Sequence, residues 1–173
     1  AMKLNSITLQ QGIAAGGLII VLQLTAYLMG VETFMSSWLS TGRFILTVLA
    51  MVLTCLAVRK DEGSLTFKRA VLESWIAAGL ASLIGVLFMI VIFTFDGQLG
   101  QNLANLMVAE FDNSLGSFAG SFTDEMRTEM EGQMKWVNQP LGQMVGWAVG
   151  LIFWLLASVV LGAIFKRPAP DSI

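Results

Sequence analysis

Apolar residues in this chain run in long unbroken blocks, and four of those blocks are long enough to cross a bilayer. A hydrocarbon layer about 30 Å thick takes roughly 20 residues of helix rising about 1.5 Å each. The first block lies between Lys3 and Glu32, with its span at about 12–31 and Gln23 near its middle. The second runs over about 38–58, with Arg43 in its first turn and Phe44 to Val58 free of charge. The third, 74–95, holds 22 residues without a charge. The fourth is charge-free from Trp136 to Phe165, and its span, 140–165, opens at Pro140, a residue suited to a helix start.

The connections carry their own signals. Arg59-Lys60-Asp61-Glu62-Gly63 marks a turn, and Thr66 is placed to N-cap a helix beginning at Phe67. The charged opening of that helix, Lys68, Arg69 and Glu73, is expected in the headgroup region. Trp38, Trp75 and Trp136 fall near predicted helix ends, where amphipathic rings favour the water interface. Arg43 reads as a fourth interface anchor, its stem along apolar surface and its head at the boundary.

Between the third and fourth spans, 96–139 is different. Leu99, Leu103, Leu106, Met107, Phe111, Leu115, Phe118, Phe122, Met126, Met130 and Met134 recur at steps of mostly three and four, which indicates an amphipathic helix. Gly116 and Gly120 interrupt the series, so two helical pieces are expected, lying on the bilayer surface or against the bundle. The expected fold is an all-α integral membrane protein of four transmembrane helices plus this external amphipathic segment, forming a single membrane domain over residues 1–173.

Composition agrees with lipid as the solvent. Hydrophobic residues make up 55% of the chain and charged ones 13%, about half the charged share of a soluble domain. Ala1 precedes Met2, which reads as the native start, and no A-x-A-like cleavage site closes the first block, so it is read as a retained anchor.

Charge sets orientation. Lys3, Arg59, Lys60, Lys68, Arg69, Lys166 and Arg167, seven of the ten basic residues, lie on the side that holds both termini; Arg43, Arg127 and Lys135 lie on the other. Because basic loops resist translocation, both termini are expected in the cytoplasm of a bacterial inner membrane. The external segment then carries seven acids, Asp96, Glu110, Asp112, Asp124, Glu125, Glu129 and Glu131, against two bases.

Chemistry is thinly represented. The net charge of −2 and pI near 5.0 leave no basic surface for nucleic acid. Histidine is absent and Cys55 is the one cysteine, which removes the usual zinc sets, His-dependent triads and an intrachain disulfide. Met126, Met130 and Met134 could in principle offer thioethers to Cu(I), but methionine is also an ordinary filler of apolar faces, and no metal or cofactor is expected. Gln23, Thr54, Cys55, Ser82 and Ser158 are the deep polar side chains, explained by hydrogen bonding between or within helices. Apart from Arg43 the spans hold no ionisable group, which argues against an ion-coupled carrier. Asp124, Glu125 and Glu129 read as a solvated helix face, and no phosphate loop or nucleophile elbow appears, so no enzyme is expected.

Glycines at four-residue spacing are the clearest motif: Gly12-x-x-x-Gly16 in the first span, and Gly142-x-x-x-Gly146-x-x-x-Gly150 in the fourth. They permit close helix approach, either within one protomer, the plainer reading, or in an oligomer.

Gly63-Ser64-Leu65-Thr66-Phe67-Lys68-Arg69-Ala70 opening the third span, the Met-containing amphipathic segment, Pro140-Leu141-Gly142 opening the fourth and the basic end Lys166-Arg167 together give a layout. In that layout the chain resembles a family of uncharacterised four-helix membrane proteins found mainly in Bacteroidota and catalogued as a domain of unknown function. The resemblance implies a four-helix inner-membrane fold and brings no site residues. The function expected is that of a non-enzymatic accessory subunit or scaffold, in contact with the lipid bilayer and with a membrane-protein partner or a homo-oligomer. An oligomeric channel or transporter is the alternative, and a lipid-modifying enzyme a third class.

Overall fold

The computed structural model describes residues 5–115 and 123–167. Lys3, Gly116, Phe118, Gly120 and Phe122, each used above, lie outside the described residues. Seven helices are described: α1 Ser6–Met29, α2 Glu32–Met35, α3 Ser37–Glu62, α4 Phe67–Phe95, α5 Gly97–Leu115, α6 Asp124–Val137 and α7 Pro140–Phe165. Among the described residues there is no strand, only one isolated antiparallel bridge between Leu65 and Arg167. Four helices, α1, α3, α4 and α7, are long and apolar enough to cross a membrane.

Local chemistry sets the ends. The Asn5 side chain accepts from the Ile7 amide at 3.0 Å and so caps α1. Gly30, at φ 108°, breaks the helix before residue 31, and the one-turn α2 leads into α3. Gly63, at φ 70°, ends α3 in the left-handed conformation after Arg59 and Lys60 in its last turn, where cations suit the helix dipole. Thr66 occupies the N-cap position of α4 but its side chain makes no capping bond. Asp96 Oδ1 accepts from the Leu99 amide at 3.1 Å, and Thr123 Oγ1 from the Met126 amide at 3.3 Å, which starts α5 and α6. Pro140 opens α7.

α4 is the hub, packed against α1, α3 and α7, whereas α7 meets α3 only along a short stretch. The α1–α4 contact is made by small residues on both sides. A Cβ on Gly12 would lie 3.1 Å from Leu80 Cβ, and one on Gly16 2.8 Å from Ile84 Cβ. One on Gly85 would lie 2.7 Å from Ile19 Cγ2. Opposite them Ala77, Ala81 and Gly85 form a stripe at four-residue steps on α4, so the backbones approach closely, as packing between apolar helices in lipid requires.

The two ends differ. At the basic end, Leu65 and Arg167 exchange main-chain bonds of 2.8 and 2.7 Å, which tie the start of α4 to the end of α7. At the acidic end, Leu99 and Leu103 of α5 are buried against Met89, Ile92 and Phe93 of α4, with Tyr27, Val31, Phe34 and Met107 around them. Tyr27 also donates to Asp96 Oδ2 at 3.2 Å. Among the described residues α6 packs on α5 and α7 alone.

Glu73, near the start of α4, is buried inside the protein, 1% exposed. Its Oε2 accepts from Thr8 Oγ1, and Arg69 Nε stands 3.4 Å from Oε1. Arg69 in turn pairs with Glu62, whose Oε1 also accepts from Asn5 Nδ2 at 3.3 Å. A buried carboxylate needs such partners, and the α1 start, the α3 end and α4 together supply them. Arg43 is therefore not the sole ionisable group embedded in the apolar helices.

Candidate functional site: the groove between α3 and α7

Arg43 is followed one turn later by Thr47 and preceded by Ser40, so i−3, i and i+4 place all three on one face of α3. That face looks across to Gly142, Gln143, Gly146, Trp147, Gly150 and Trp154, a face of α7. Between them lies a cavity of about 360 Å³, with Ile19, Ser82 and Val86 behind it and Val137 at its rim. It exists because two of the three four-spaced glycines put no side chain into it. A Cβ on Gly146 or Gly150 would meet nothing within 4 Å.

The polar groups of the groove fall into two sets. Thr47 donates to the Arg43 carbonyl at 2.9 Å, Ser82 to the Ala78 carbonyl at 2.7 Å, and the Trp147 indole to Ser82 Oγ at 3.2 Å. Those groups are satisfied. The Arg43 guanidinium, the Ser40 hydroxyl and the Gln143 amide make no hydrogen bond or ion pair with any described residue, and no carboxylate lines the cavity. Phe44 stacks on Trp154, with centroids 5.7 Å apart and planes at 25°, and so fixes one aromatic wall.

The residues singled out from the sequence are thereby distributed over different places. Arg43, Gly142, Gly146 and Gly150 come together at the groove. Gly12 and Gly16 are not in the groove but face Leu80 and Ile84 of α4. Gly142 faces the turn before its own helix, where a Cβ would sit 2.1 Å from the Trp136 carbonyl oxygen. α4 and α7 approach closely at Gly162, whose Cβ would lie 2.6 Å from Val71 Cγ2. Trp38 and Trp136 are exposed at the α3 start and α6 end, while the Trp75 indole points into the α4–α7 interface and donates to the Leu151 carbonyl at 2.9 Å.

Sequence reasoning missed three features. Glu73 carried a signal, since it lies at i+4 from Arg69 and i−4 from Ala77, on the buried stripe of α4. The stripe itself reads small-x-x-x-small over Ala77, Ala81 and Gly85. The third is the state of Gln23, which is fully buried with both amide atoms unpaired among the described residues. No signal in the sequence separates that from a hydrogen-bonded glutamine. No group of three or more His, Cys, Asp or Glu side chains suited to a metal ion occurs among the described residues.

No curated protein and no solved structure matches the chain. One family does, and its match extends from Gln10 in α1 to Arg167 after α7, so it takes in all four candidate spans, the groove and the α5–α6 segment. The chain belongs to that family, described as a protein of unknown function, DUF4199.

Proposed function

We propose that the protein is a non-enzymatic accessory subunit of a bacterial inner membrane, with both termini cytoplasmic, and that it binds a second membrane protein through the α5–α6 segment. The observation that carries this reading is the attachment of α6. Among the described residues it packs on α5 and α7 alone, and it leaves Met126, Trp136 and Val137 exposed. Its sequence places Glu125, Glu129 and Glu131 beside them. An amphipathic helix held away from the core, with its apolar residues still uncovered, has surface to bury against something else. The charge of the segment, seven acids to two bases, selects a partner whose facing surface is basic.

Mild-detergent purification from cells at native expression tests the reading, comparing the wild type with the double charge reversal E125K/E129K. A stoichiometric membrane protein retained by the wild type and lost by the variant, at equal bundle stability, is the expected result. A lone homo-oligomer indifferent to the reversal would move the assignment to the oligomeric channel.

A further inference from the structure

We infer that the groove between α3 and α7 is a binding site for an anionic phospholipid, with the lipid phosphate on Arg43 and an acyl chain along Gly146 and Gly150. Charge points to the occupant. Arg43 has no ionic or hydrogen-bonding partner among the described residues, and a guanidinium among apolar helices is costly unless an anion neutralises it. Ser40 and Gln143 add a free hydroxyl and a free amide on the same cavity, so three unpaired groups with N–H or O–H protons converge on one space. Guanidinium matches phosphate with two parallel hydrogen bonds, which a single backbone amide or hydroxyl cannot.

Depth and access fit a lipid better than a soluble anion. Arg43 stands six residues into α3, about 9 Å from its start, and Gln143 three residues into α7, about 5 Å from its start. That is the level at which a headgroup meets the acyl chains. The cavity lies where α3 and α7 barely touch, so it opens sideways between two helices whose outer faces, Ile45, Leu49, Val149 and Phe153, are apolar and exposed. A soluble anion would have to cross that apolar rim. Among the described residues no carboxylate lines the cavity to pair with a headgroup cation, and the Arg43 charge repels one, which favours anionic over zwitterionic headgroups.

The test uses the full chain in a mild non-ionic detergent, titrated separately with phosphatidylglycerol, with phosphatidylcholine of the same chains and with inorganic phosphate. Thermal unfolding is followed by tryptophan emission. At saturating lipid the expected result is an upward shift of about 5 °C for phosphatidylglycerol, little for phosphatidylcholine and none for phosphate. R43Q should lose the shift and R43K retain part of it. The variant G146W, which fills the groove from open space and keeps Arg43, should lose it as well, and decides the matter if R43Q does not fold. Equal shifts with both lipids, or an undiminished shift in R43Q, would overturn the site. A shift of the same size with inorganic phosphate would overturn the lipid as its occupant. The outcome is separate from that of the partner reading, because E125K/E129K leaves the groove intact and should keep the phosphatidylglycerol shift.

Discussion

Trp75 on α4 donates its indole N–H to the main-chain carbonyl of Leu151 on α7 at 2.9 Å, two turns or more from either end of each helix. Trp147 on α7 answers from the other side, reaching the Gly79 carbonyl at 3.3 Å and Ser82 Oγ at 3.2 Å. The lack of a side chain on Gly79 lets this happen, since a Cβ there would stand 3.2 Å from Leu151 Cδ2. Gly162 against Val71 and the Leu65–Arg167 bridge hold the end of α7, and the paired indoles fix its first half and middle on α4.

Trp75→Phe should therefore lower stability by about 0.5–1.5 kcal/mol, the net value of one hydrogen bond, while keeping the ring area. Trp147→Phe should cost a similar amount. Thermal unfolding in detergent measures both. A Trp75→Phe protein as stable as the wild type would mean that the indole N–H contributes nothing between these helices.

The two glycine motifs should respond oppositely to the same change. Gly16→Leu forces volume into Ile84, where a Cβ alone would already lie 2.6 Å from Cδ1, and overpacking of this kind costs about 1–3 kcal/mol or more. Gly146→Leu meets open space and should leave thermal stability of the isolated protein within about 0.5 kcal/mol. Comparable losses in both would show that α7 packs on another helix at Gly146.

Buried polar groups offer a second contrast. Gln23 is enclosed with its amide unpaired, so Gln23→Leu removes a desolvation cost at nearly constant volume and should be neutral or stabilising by up to about 2 kcal/mol. Glu73 is enclosed with partners, and Glu73→Ala leaves the Thr8 hydroxyl without its acceptor and Arg69 without one of its two carboxylates, at a cost on the order of 2–4 kcal/mol. Glu73→Gln keeps an acceptor for Thr8 and should fall between. Chemical or thermal unfolding ranks the three, and a destabilised Gln23→Leu would reveal a partner for that amide.

Orientation can be read directly. In a Cys55→Ala background, Lys60→Cys in the last turn of α3 should resist a membrane-impermeant maleimide on intact cells, and Asn113→Cys near the end of α5 should react. Both parent side chains are exposed, so access is decided by the membrane alone. Labelling at position 60 and not at 113 would reverse the assignment.

How much of this was legible in the sequence follows from what lipid does to the code. The four long apolar helices were legible because a hydrocarbon solvent demands unbroken apolar length, and α4 begins at Phe67 after Thr66 as the pattern implied. Which face of a span is inside was not, because lipid is as apolar as a protein core. Val149 faces outward and Val86 inward with the same chemistry, and only the small-residue stripe Ala77, Ala81, Gly85 distinguishes a packed face. The groove was half legible. Arg43 and the α7 glycines stood out individually, but the helix opposite each glycine is a property of the assembled bundle, so Gly12 and Gly146 look alike in sequence and differ in space. Glu73 was missed because proximity to a helix start suggests water, whereas here the start of α1 covers it.

The α5–α6 segment gives the last contrast. α5 buries Leu99 and Leu103 in a cluster with Met89, Ile92 and Phe93, and each such side chain removed from water stabilises by roughly 1.5–3 kcal/mol. Asp96 adds a cap at the α5 start and a bond from Tyr27. α6 has less to hold it: Asn138 Nδ2 to the Met134 carbonyl at 3.0 Å and to Met107 Sδ at 3.4 Å, with Met126 left 48% exposed. Local opening free energy tracks such contacts, so amide exchange should be slow from Leu99 to Met107 and faster from Met126 to Met134. Leu103→Asp places a charge in the cluster and should accelerate exchange in both helices, because α5 is one of the two helices on which α6 packs. Binding of the partner should slow exchange in α6 and leave α5 unchanged. Were α6 as slow as α5 in the purified protein, its apolar residues would already be covered, and the surface assigned to the partner would not be free.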